Sequence, residues 1–491
     1  MKRALALILC LLLLPAAMAT AETYLIGYTN SDNYDSTDLL IRDDGTVLVE
    51  PFVYDGISRL TPEDWPEDRQ RYSAMRILPL ERAYTEEELW ELDDAEYIRT
   101  ALLDGSGRPL TGFDYYYLSW DEAGGQIIFQ LPDQRVGAMD ADGNVLLPAD
   151  YYGVYPNGEG GWLVLDRDGQ TRRTYDHYYP IHYVDAQGNE RDTGFTAQFG
   201  GIQGYSDGLC AVNWVPRFDD RAIYLDSEGR WAFEGAYDFV LEFHDGIAGA
   251  DPDGEGYCLI DDAGNLLTEG YDNLHYQEYD GDAVYVASDY GRLAIFDART
   301  GECRRAVEYP GEETWVYGYR LGPGLIGVYV SGQDDCCEVY DLSGTLLFSV
   351  GGSYNLSGYY TADEMPARLI FAQGEWPDVY GRMVDLSGAG HGPYYSQVNG
   401  ELWRDGEARA VVIDYVIVRE EGSDDYDYID WDHSFYGVCD GEGEEVLPAV
   451  YTSVEVLDLD RYWVRTGTRA GLIDGAGNWL YTINDYQFLM D

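Results

Sequence analysis

Lysine is almost missing from this chain, and positive charge is scarce. Lys2 is the only lysine, and 31 Lys and Arg stand against 90 Asp and Glu, which gives a net charge of −59 at pH 7. Phosphate backbones and anionic lipid headgroups are bound by clustered Lys and Arg, so the sequence disfavours nucleic acid and membrane-surface partners. Beyond Lys2, chemistry that requires a lysine, such as a Schiff base, is excluded. We ascribe the acid excess to solubility or to adaptation to a salty or guanine/cytosine-rich background, with attraction of cations or of a basic partner as the alternative.

The usual signatures of a metal site or of a redox motif are also missing. The seven cysteines form no C-x-x-C pair, and the six histidines form no H-E-x-x-H pair. We interpret the histidines as surface or core residues and assign none of them to a site: His177, His182, His244, His275, His391 and His433. No nucleophilic serine is assigned either. The sequence therefore supports no catalytic, cofactor-binding or metal-binding residue.

Calcium is the one cofactor for which the acidic turns make the chain a candidate. Residues 140–144 and 251–255 concentrate carboxylates as calcium loops do, but neither continues to the glutamate at the twelfth position of an EF-hand. We interpret both as metal-free turns. A structural role for calcium predicts a melting temperature that falls when a chelator is added.

The first 21 residues have the order and proportions of a secretory signal peptide. Lys2 and Arg3 form a basic start, residues 4–14 are an apolar run, and small residues follow. Ala17-Met18-Ala19 and Ala19-Thr20-Ala21 both fit the cleavage pattern. The apolar run is shorter than the roughly 20 residues of a membrane span, which disfavours an uncleaved anchor. We expect an exported protein, secreted or in the cell envelope, and loss of residues 1–21 leaves a net charge of −61.

One short pattern recurs along the chain. An apolar residue precedes Asp, two or three variable residues follow, and Gly comes before a return to apolar residues. Asp opens a tight turn by accepting backbone N–H bonds, and Gly takes the left-handed position that closes it. Each copy therefore predicts one β-hairpin. The eleven copies have their Asp at Asp104, Asp140, Asp166, Asp185, Asp226, Asp261, Asp297, Asp341, Asp385, Asp440 and Asp474.

Two further features place strands between these turns. An Asp-Gly turn leads into a small-apolar strand, as at Asp207-Gly208 and Asp245-Gly246. From Asp185 onward the copies lie 34 to 55 residues apart, the length of one antiparallel sheet of three or four strands. An aromatic-Asp pair begins a β-rich run at Phe113-Asp114, Tyr175-Asp176, Tyr237-Asp238 and Tyr271-Asp272.

With these turns in place, the chain resembles the WG-repeat family of bacterial exported proteins. Residues 469–480, RAGLIDGAGNWL, carry the resemblance most clearly, and residues 256–265, GYCLIDDAGN, are similar. The resemblance spans roughly residues 102–481. The chain departs from the family in lacking lysine and in placing Ala or Cys where the aromatic-Gly pair would stand. The resemblance implies an all-β repeat fold and carries over no catalytic residue.

Repeats that each bury one face against a neighbour form a continuous core in two ways. They close into a propeller or stack into an open solenoid. Steps near forty residues suit four-stranded blades, and a run such as residues 283–287 suits a strand covered on both faces. We predict an all-β propeller or propeller-like array over residues 101–491, with an open β-solenoid as the alternative.

Residues 22–100 are predicted to form a separate α+β segment. Strand-like residues 23–28 open it. Thr61-Pro62-Glu63-Asp64 has the chemistry of a helix start, and Thr85 with Glu88 forms a capping box. We predict a small helical insertion packed on the first sheet, with an independent interaction domain as the alternative.

Aromatic side chains are abundant, with 45 tyrosines and 12 tryptophans. Neighbouring residues of a strand point to opposite faces, so each aromatic pair is expected to place one ring outward or into the next layer. Exposed Tyr and Trp serve protein and sugar recognition, and packing between β layers is the alternative. The clusters are Tyr115-Tyr116-Tyr117, Tyr151-Tyr152, Tyr178-Tyr179, Tyr359-Tyr360 and Tyr394-Tyr395.

Repetition without a unique reactive constellation suggests binding in place of catalysis. We predict an exported noncatalytic module that binds or scaffolds an extracellular protein or glycan. The alternative is a carbohydrate-active enzyme on a propeller, which uses a pair of carboxylates. A deep pocket that holds two carboxylates would favour the enzyme, and a shallow surface would disfavour it.

Overall fold

The computed structural model describes residues 22–29, 36–63, 65–79, 92–169, 173–311, 314–332, 335–351, 355–373, 380–418, 428–467 and 469–484. It contains two compact units, Met1–Trp120 with Ala141–Gly143, and Asp121–Asp140 with Asn144–Asp491. The predicted signal peptide and the capping box at Thr85 lie outside the described residues. In the described ranges, no helix is long and apolar enough to cross a bilayer.

The first unit contains two three-stranded antiparallel sheets. Their orders are β1-β2-β3 and β4-β5-β6. The strands are β1 (Thr23–Thr29), β2 (Ser36–Arg42), β3 (Val47–Val49), β4 (Gly56–Arg59), β5 (Arg71–Ile77) and β6 (Ile98–Asp104). Leu40, Ile57, Tyr72 and Leu103 are buried together and bring apolar side chains from both sheets into one core.

Turns take the place of the helix predicted to start at Thr61. The hydroxyl of Thr61 accepts the backbone N–H of Arg71 at 2.9 Å, so it caps no helix. The buried Gln70 side chain donates to the carbonyl oxygens of Pro62, Glu63 and Trp65 at 2.9, 3.0 and 2.7 Å. The Pro62 carbonyl oxygen also accepts the N–H of Trp65 at 3.2 Å, a turn bond between residues three apart, and the chain then returns into β5. The one α-helix among the described residues is α1 (Asp94–Tyr97).

The division between the units differs from the predicted boundary after residue 100. That position falls inside β6, which pairs with β5 from Arg71 to Ile77. A strand paired with its predecessor belongs to the same sheet, so the segment continues past residue 100. The units divide after Trp120, within β7 (Tyr117–Asp121).

The second unit is a series of small antiparallel sheets, arranged as the blades of a β-propeller, and the predicted fold class is confirmed. The first of these sheets contain β8 (Gln126–Gln130), β9 (Val136–Met139) and β10 (Val145–Tyr151); β11 (Gly153–Pro156), β12 (Trp162–Leu165), β13 (Tyr178–Val184) and β14 (Glu190–Gln198); β15 (Ile202–Ser206), β16 (Leu209–Val215) and β17 (Arg221–Asp226); and β18 (Phe239–His244), β19 (Ile247–Asp251) and β20 (Cys258–Asp261). Two four-stranded sheets follow, with β21 (Asn273–Tyr279), β22 (Asp282–Asp289), β23 (Arg292–Asp297) and β24 (Cys303–Glu308), then β25 (Trp315–Gly322), β26 (Leu325–Ser331), β27 (Cys336–Asp341) and β28 (Leu346–Gly351).

The next two sheets are interleaved along the chain. β29 (Asn355–Ser357) pairs with β31 (Arg368–Gln373), and β32 (Tyr380–Asp385) and β33 (Gly390–Tyr395) complete that sheet. β30 (Tyr359–Ala362) instead pairs in parallel with β34 (Gln397–Arg404) of the following sheet. That sheet continues with β35 (Glu407–Val418), β36 (Tyr428–Cys439) and β37 (Glu445–Tyr451), and the last sheet holds β38 (Ser453–Asp458), β39 (Arg461–Thr466), β40 (Arg469–Asp474) and β41 (Ile483–Asn484).

The recurring Asp-to-Gly turns form as predicted. In ten of the eleven copies the Asp carboxylate accepts the backbone N–H of a residue two to four positions later. The closing glycines of these ten copies have φ between +69° and +85°, where a side chain would be strained. The turn after Asp166 reaches residues 170–172, which lie outside the described ranges. The Asp-Gly pairs at Asp207 and Asp245 also have two left-handed residues each, the geometry of a type I′ hairpin turn.

Central strands of the second unit are covered on both faces by their neighbours. Along β22, Val284 and Val286 pack toward the sheet that begins at β25, whereas Tyr285 packs toward the sheet that ends at β20. The Tyr285 hydroxyl donates to the backbone oxygen of Ile247 at 2.7 Å. Such a tyrosine contributes about 2–3 kcal/mol through burial while its polar end stays bonded. This packing explains why tyrosine is frequent between the sheets.

Candidate binding surface

The predicted aromatic pairs alternate between the core and the surface. Tyr152 and Tyr179 are fully buried, and their neighbours Tyr151 and Tyr178 are half-buried. The contrast is largest at Tyr359-Tyr360, where the exposed fractions are 7% and 92%. One ring of each of these pairs is therefore buried, and of the neighbouring rings Tyr360 is exposed whereas Tyr151 packs against a core cluster. Exposure alone does not mark a site, because an isolated exposed ring is common on protein surfaces.

Trp214 has a backbone conformation that its residue type disfavours. Its φ is +55°, and 41% of the residue is exposed. Most other non-glycine residues with positive φ in the described ranges are Asp, which tolerates this region, whereas a bulky aromatic residue does not. The strand register shifts between Val212 and Val215, so Trp214 lies in an irregularity of β16. No site is predicted at this residue from the sequence, because no local sequence pattern indicates a left-handed tryptophan.

Buried polar contacts hold the backbone on both sides of this bulge. Asn213 is 2% exposed, its N–H donates to the carbonyl oxygen of Gly201 at 2.7 Å, and its side-chain oxygen accepts the N–H of Val240 at 3.3 Å. Val215 is fully buried and pairs with Arg221. The strained Trp214 is thus fixed between two anchored neighbours.

Two exposed rings lie beside the Gly200-Gly201 turn that joins β14 to β15. A Cβ on Gly200 would lie 3.4 Å from the Tyr175 ring, and a Cβ on Gly201 would lie 3.5 Å from the Trp214 ring. Tyr175 is 69% exposed. Phe199 packs against Tyr175 with ring centroids 5.5 Å apart. We call Tyr175, Phe199, Gly200, Gly201 and Trp214 the Trp214 surface.

The loop after Trp214 is anchored by aromatic packing. Residues Pro216–Phe218 form a short 3₁₀ turn that ends at Asp219, whose φ is +58°. The Phe218 ring lies 6.3 Å from the Phe195 ring and 4.9 Å from the Trp231 ring, centroid to centroid. This packing fixes the loop that borders the Trp214 surface.

Polar groups line the edge of the Trp214 surface. The Tyr178 hydroxyl donates to the Asp220 carboxylate at 2.8 Å, which ties the loop to β13 and raises the pKa of Tyr178. Gln198 pairs with Tyr178 across the sheet. The Arg173 guanidinium lies 4.3 Å from the Phe199 ring centroid, a cation–π contact. The rings are therefore bordered by a carboxylate, a phenol, an amide and a guanidinium.

A second aromatic group, on β25, has a different geometry. Trp315 and Tyr317 are partly exposed, and their ring planes lie 6° apart with centroids at 5.5 Å. Tyr317 stacks in turn near Tyr319, at 13° and 6.2 Å. At these centroid distances the stacked rings are offset, so each covers only part of its neighbour's face.

An open cavity of about 570 Å³ bears on the enzyme alternative. It is lined by Asp121, Glu122, Asp207, Glu242 and His244, among others. Burial raises the pKa of the Asp121 carboxyl, and the N–H of Gly124, 2.7 Å away, opposes that shift. Asp207 accepts the N–H of Gly246 at 2.9 Å. The carboxylates of Asp121 and Asp207 are thus bonded to backbone N–H groups. Glu122 and Glu242 are the two carboxylates that remain for the pair that the enzyme alternative requires.

The segment Gly204-Tyr205-Ser206-Asp207-Gly208 has the G-x-S-x-G spacing of a hydrolase nucleophile, which sequence reasoning missed. That chemistry requires a serine on a sharp turn from a strand into a helix. Here Ser206 ends β15 and the next residues form a hairpin turn into β16. Its hydroxyl donates to the backbone oxygen of Phe243, and His244 stacks on Tyr276 with ring centroids 3.9 Å apart. The geometry gives no nucleophile elbow.

The histidines lie in separate surroundings. His177 and His182 approach Asp168 and Glu190, and His275 is largely buried, which lowers its pKa to about 4. His391 lies 3.0 Å from both the Asp385 and the Glu442 carboxylates. The side chain of His433 lies outside the described residues.

The two turns considered for calcium use their carboxylates within the chain. Asp140 accepts the backbone and side-chain N–H groups of Asn144 at 2.9 Å each. Asp251 accepts the N–H of Gly254 at 2.7 Å. Among the residues that the structure describes, no group of three or more His, Cys, Asp or Glu side chains is placed to hold a metal ion.

Comparison with known proteins gives no family. No protein-family model and no curated protein matches this chain. Among solved structures, a eukaryotic initiation factor is similar at a TM-score of 0.38 and 8% identity, over 78% of this chain and 93% of its own. KlHsv2 with loop 6CD replaced by a Gly-Ser linker has a TM-score of 0.28 and 11% identity, over 51% of this chain and 92% of its own. The dihydro-heme d1 dehydrogenase NirN in complex with DHE has a TM-score of 0.29 and 11% identity, over 60% of this chain and 69% of its own.

Proposed function

We propose that this chain is an exported, noncatalytic binding module that holds an extracellular protein or glycan on the Trp214 surface. The observation that carries the proposal is the conformation of Trp214. A left-handed backbone at a bulky residue costs about 1–2 kcal/mol, and such strain clusters at functional sites. With 41% of the residue in solvent, burial within the chain offsets only part of that cost. Contact with a partner molecule accounts for the exposed ring.

The scaffold supports this role because it is stiff where the surface lies. The strained residue is bordered by the buried Asn213 and Val215, and the facing Gly201 is hydrogen-bonded to Asn213. A rigid sheet that presents rings from short loops reduces the ordering cost of binding. A binding module needs no reactive group.

The proposal is tested by screening the full chain on glycan and peptide arrays. A buried aromatic contact typically contributes about 1–3 kcal/mol to binding, so we expect Trp214→Gly to weaken the binding found by at least about tenfold. Glycine tolerates the left-handed backbone and keeps the fold. Tyr360→Ala is the matched control, because it removes a ring that is 92% exposed and lies outside the surface. Equal binding by the parent and the Trp214 variant would contradict the proposal.

A second candidate function is favoured by the acidic cavity. Glycoside hydrolysis requires two carboxylates that flank the scissile bond, and Glu122 and Glu242 line the same cavity. The test is release of reducing sugar from a panel of polysaccharides by the parent and by Glu242→Gln. Turnover that the substitution abolishes would establish an enzyme. Absence of turnover across the panel removes this candidate.

A further inference from the structure

We infer that the ligand of the Trp214 surface is a neutral glycan, an inference that rests on the binding function proposed above. The juxtaposition that supports it is two open aromatic rings, a bare glycine turn beside them, and hydroxyl-binding groups along their edge. Each of these features selects against a different competing ligand.

Open ring faces are what a sugar requires. Pyranose rings present flat C–H faces that pack on aromatic faces, and the ring must be free on at least one side. Tyr175 is 69% exposed, and its contact with Phe199 is tilted by 58°, so the two rings do not stack face to face. In the row at Trp315 and Tyr317 the stacked rings cover part of each other's faces, so less ring face is open there than at Tyr175.

The glycine turn lets a broad ligand approach the backbone. Gly200 is exposed and carries no side chain beside the Tyr175 ring, and the buried Gly201 carries none beside the Trp214 ring. At Gly201 a Cβ would lie 2.8 Å from the backbone oxygen of Asn213, so no larger residue fits there. The space above the turn is therefore fixed by the backbone and does not fill with side chains.

Polar groups at the edge match sugar hydroxyls. Asp220 is exposed, and the Tyr178 hydroxyl bonds to its Oδ1, which leaves Oδ2 to accept from a hydroxyl group. The Gln198 side chain, across the sheet from Tyr178, bonds to the Tyr178 hydroxyl, and its amide has a second N–H donor and an acceptor oxygen besides. Hydroxyl groups, which donate and accept, suit this mixed edge better than a charged ligand.

Charge and hydrogen bonding disfavour the other ligand classes. With 90 acidic and 31 basic residues, the chain repels anionic polysaccharides. A peptide would seek free backbone groups for strand pairing. At Gly201 the N–H already donates to Gln198 and the carbonyl oxygen already accepts from Asn213, so that residue offers no free edge.

The experiment is affinity electrophoresis and calorimetry of the full chain with three sets of probes. The neutral set is laminarin, xylan and glucomannan, the anionic set is polygalacturonate and dextran sulfate, and the third set is unstructured peptides. We expect binding to a neutral probe that changes less than about twofold between 0.05 and 0.5 M NaCl, because no ion pair forms. Trp214→Gly is expected to weaken it at least about tenfold and Asp220→Asn by about three- to tenfold. Tyr360→Ala is expected to bind like the parent.

The outcomes separate this inference from the function on which it rests. If the chain binds only anionic probes or only peptides, and Trp214→Gly loses that binding, the assignment of a neutral glycan is overturned. The proposed binding function is then still supported. Binding to a neutral glycan that survives Trp214→Gly, with the variant folded by circular dichroism, would overturn both. A neutral ligand lost in Trp214→Gly and Tyr175→Ala but kept in Tyr360→Ala supports the inference.

Discussion

Replacing Asp261 with alanine tests whether the turn carboxylates stabilise the hairpins of the propeller. Oδ1 of Asp261 accepts the backbone N–H groups of Ala263 and Asn265 at 3.0 and 2.8 Å, and Oδ2 accepts the Asn265 side chain at 2.9 Å. The alanine variant loses all three bonds. Each contributes about 0.5–1.5 kcal/mol net, and exposed bonds fall in the lower half of that range because water replaces them. We expect the free energy of local unfolding to fall by about 1–2 kcal/mol.

Amide hydrogen exchange at Ala263 and Asn265 is the appropriate assay, because a chain of many sheets opens locally before it unfolds as a whole. The expected loss corresponds to roughly tenfold faster exchange at these amides. Asp262→Ala is the control, since it removes the same charge one position away and leaves the three bonds of Asp261 in place. Its exchange is expected to stay within about twofold of the parent.

Asp474 provides a replicate of the same geometry. It accepts the N–H groups of Ala476 and Asn478 at 3.0 and 2.8 Å and the Asn478 side chain at 2.9 Å. Asp474→Ala is expected to lower the free energy of local unfolding by as much as Asp261→Ala does. An Asp261 variant whose amides exchange no faster than those of the Asp262 variant would refute the reasoning.

Three further predictions concern stability. Gly264 and Gly477 occupy the same turn position, with φ of +79° and +78°. A Cβ added at Gly264 would lie 2.6 Å from the Phe233 ring, whereas one added at Gly477 would meet no other residue. In urea denaturation, Gly477→Ala is expected to lower the free energy of unfolding by about 1 kcal/mol and Gly264→Ala by at least about twice that. Burial lowers the pKa of His275 from 6.5 to about 4, so its contribution to stability is complete above pH 6.5 and is lost as the pH falls. At pH 5 the loss is about 2 kcal/mol, and His275→Leu is expected to show a smaller drop in melting temperature between pH 7 and 5 than the parent. Gln70→Ala removes three bonds to backbone carbonyls and is expected to destabilise the first unit by about 2–3 kcal/mol, measured by limited proteolysis.

The architecture was predictable where one residue type has one conformational role. Asp and Gly in the turns act through their own side chain or the lack of one, so their spacing identifies hairpins without knowledge of tertiary contacts. The alternation at Tyr359-Tyr360 follows in the same way from the two-residue period of a strand. Gln134, with φ +67°, occupies a left-handed turn position without glycine, and a search for Asp and Gly could not find it.

Tertiary contacts determine the two features that the sequence did not predict, the turns after Thr61 and the Trp214 surface. The helix expected at Thr61 has suitable local residues, yet the Gln70 side chain takes the carbonyls that a helix would use. The Trp214 surface assembles Tyr175, Phe199 and Trp214 from separate strands and loops, and its central feature is a backbone angle. Neither a composition nor a spacing contains that information.

The parallel pairing of β30 with β34 has a consequence for the order of folding. The chain leaves one sheet after β29, contributes β30 to the next sheet, and returns for β31 to β33 before β34 completes the pair. Sheets such as β21 to β24 use consecutive strands and can form as soon as the ribosome has released them. The sheet that contains β30 cannot, because β30 pairs with residues about forty positions later in the chain. A chain that ends between β33 and β34 therefore has every strand of the sheet that begins at β29, but β30 still lacks the partner with which it pairs in the next sheet.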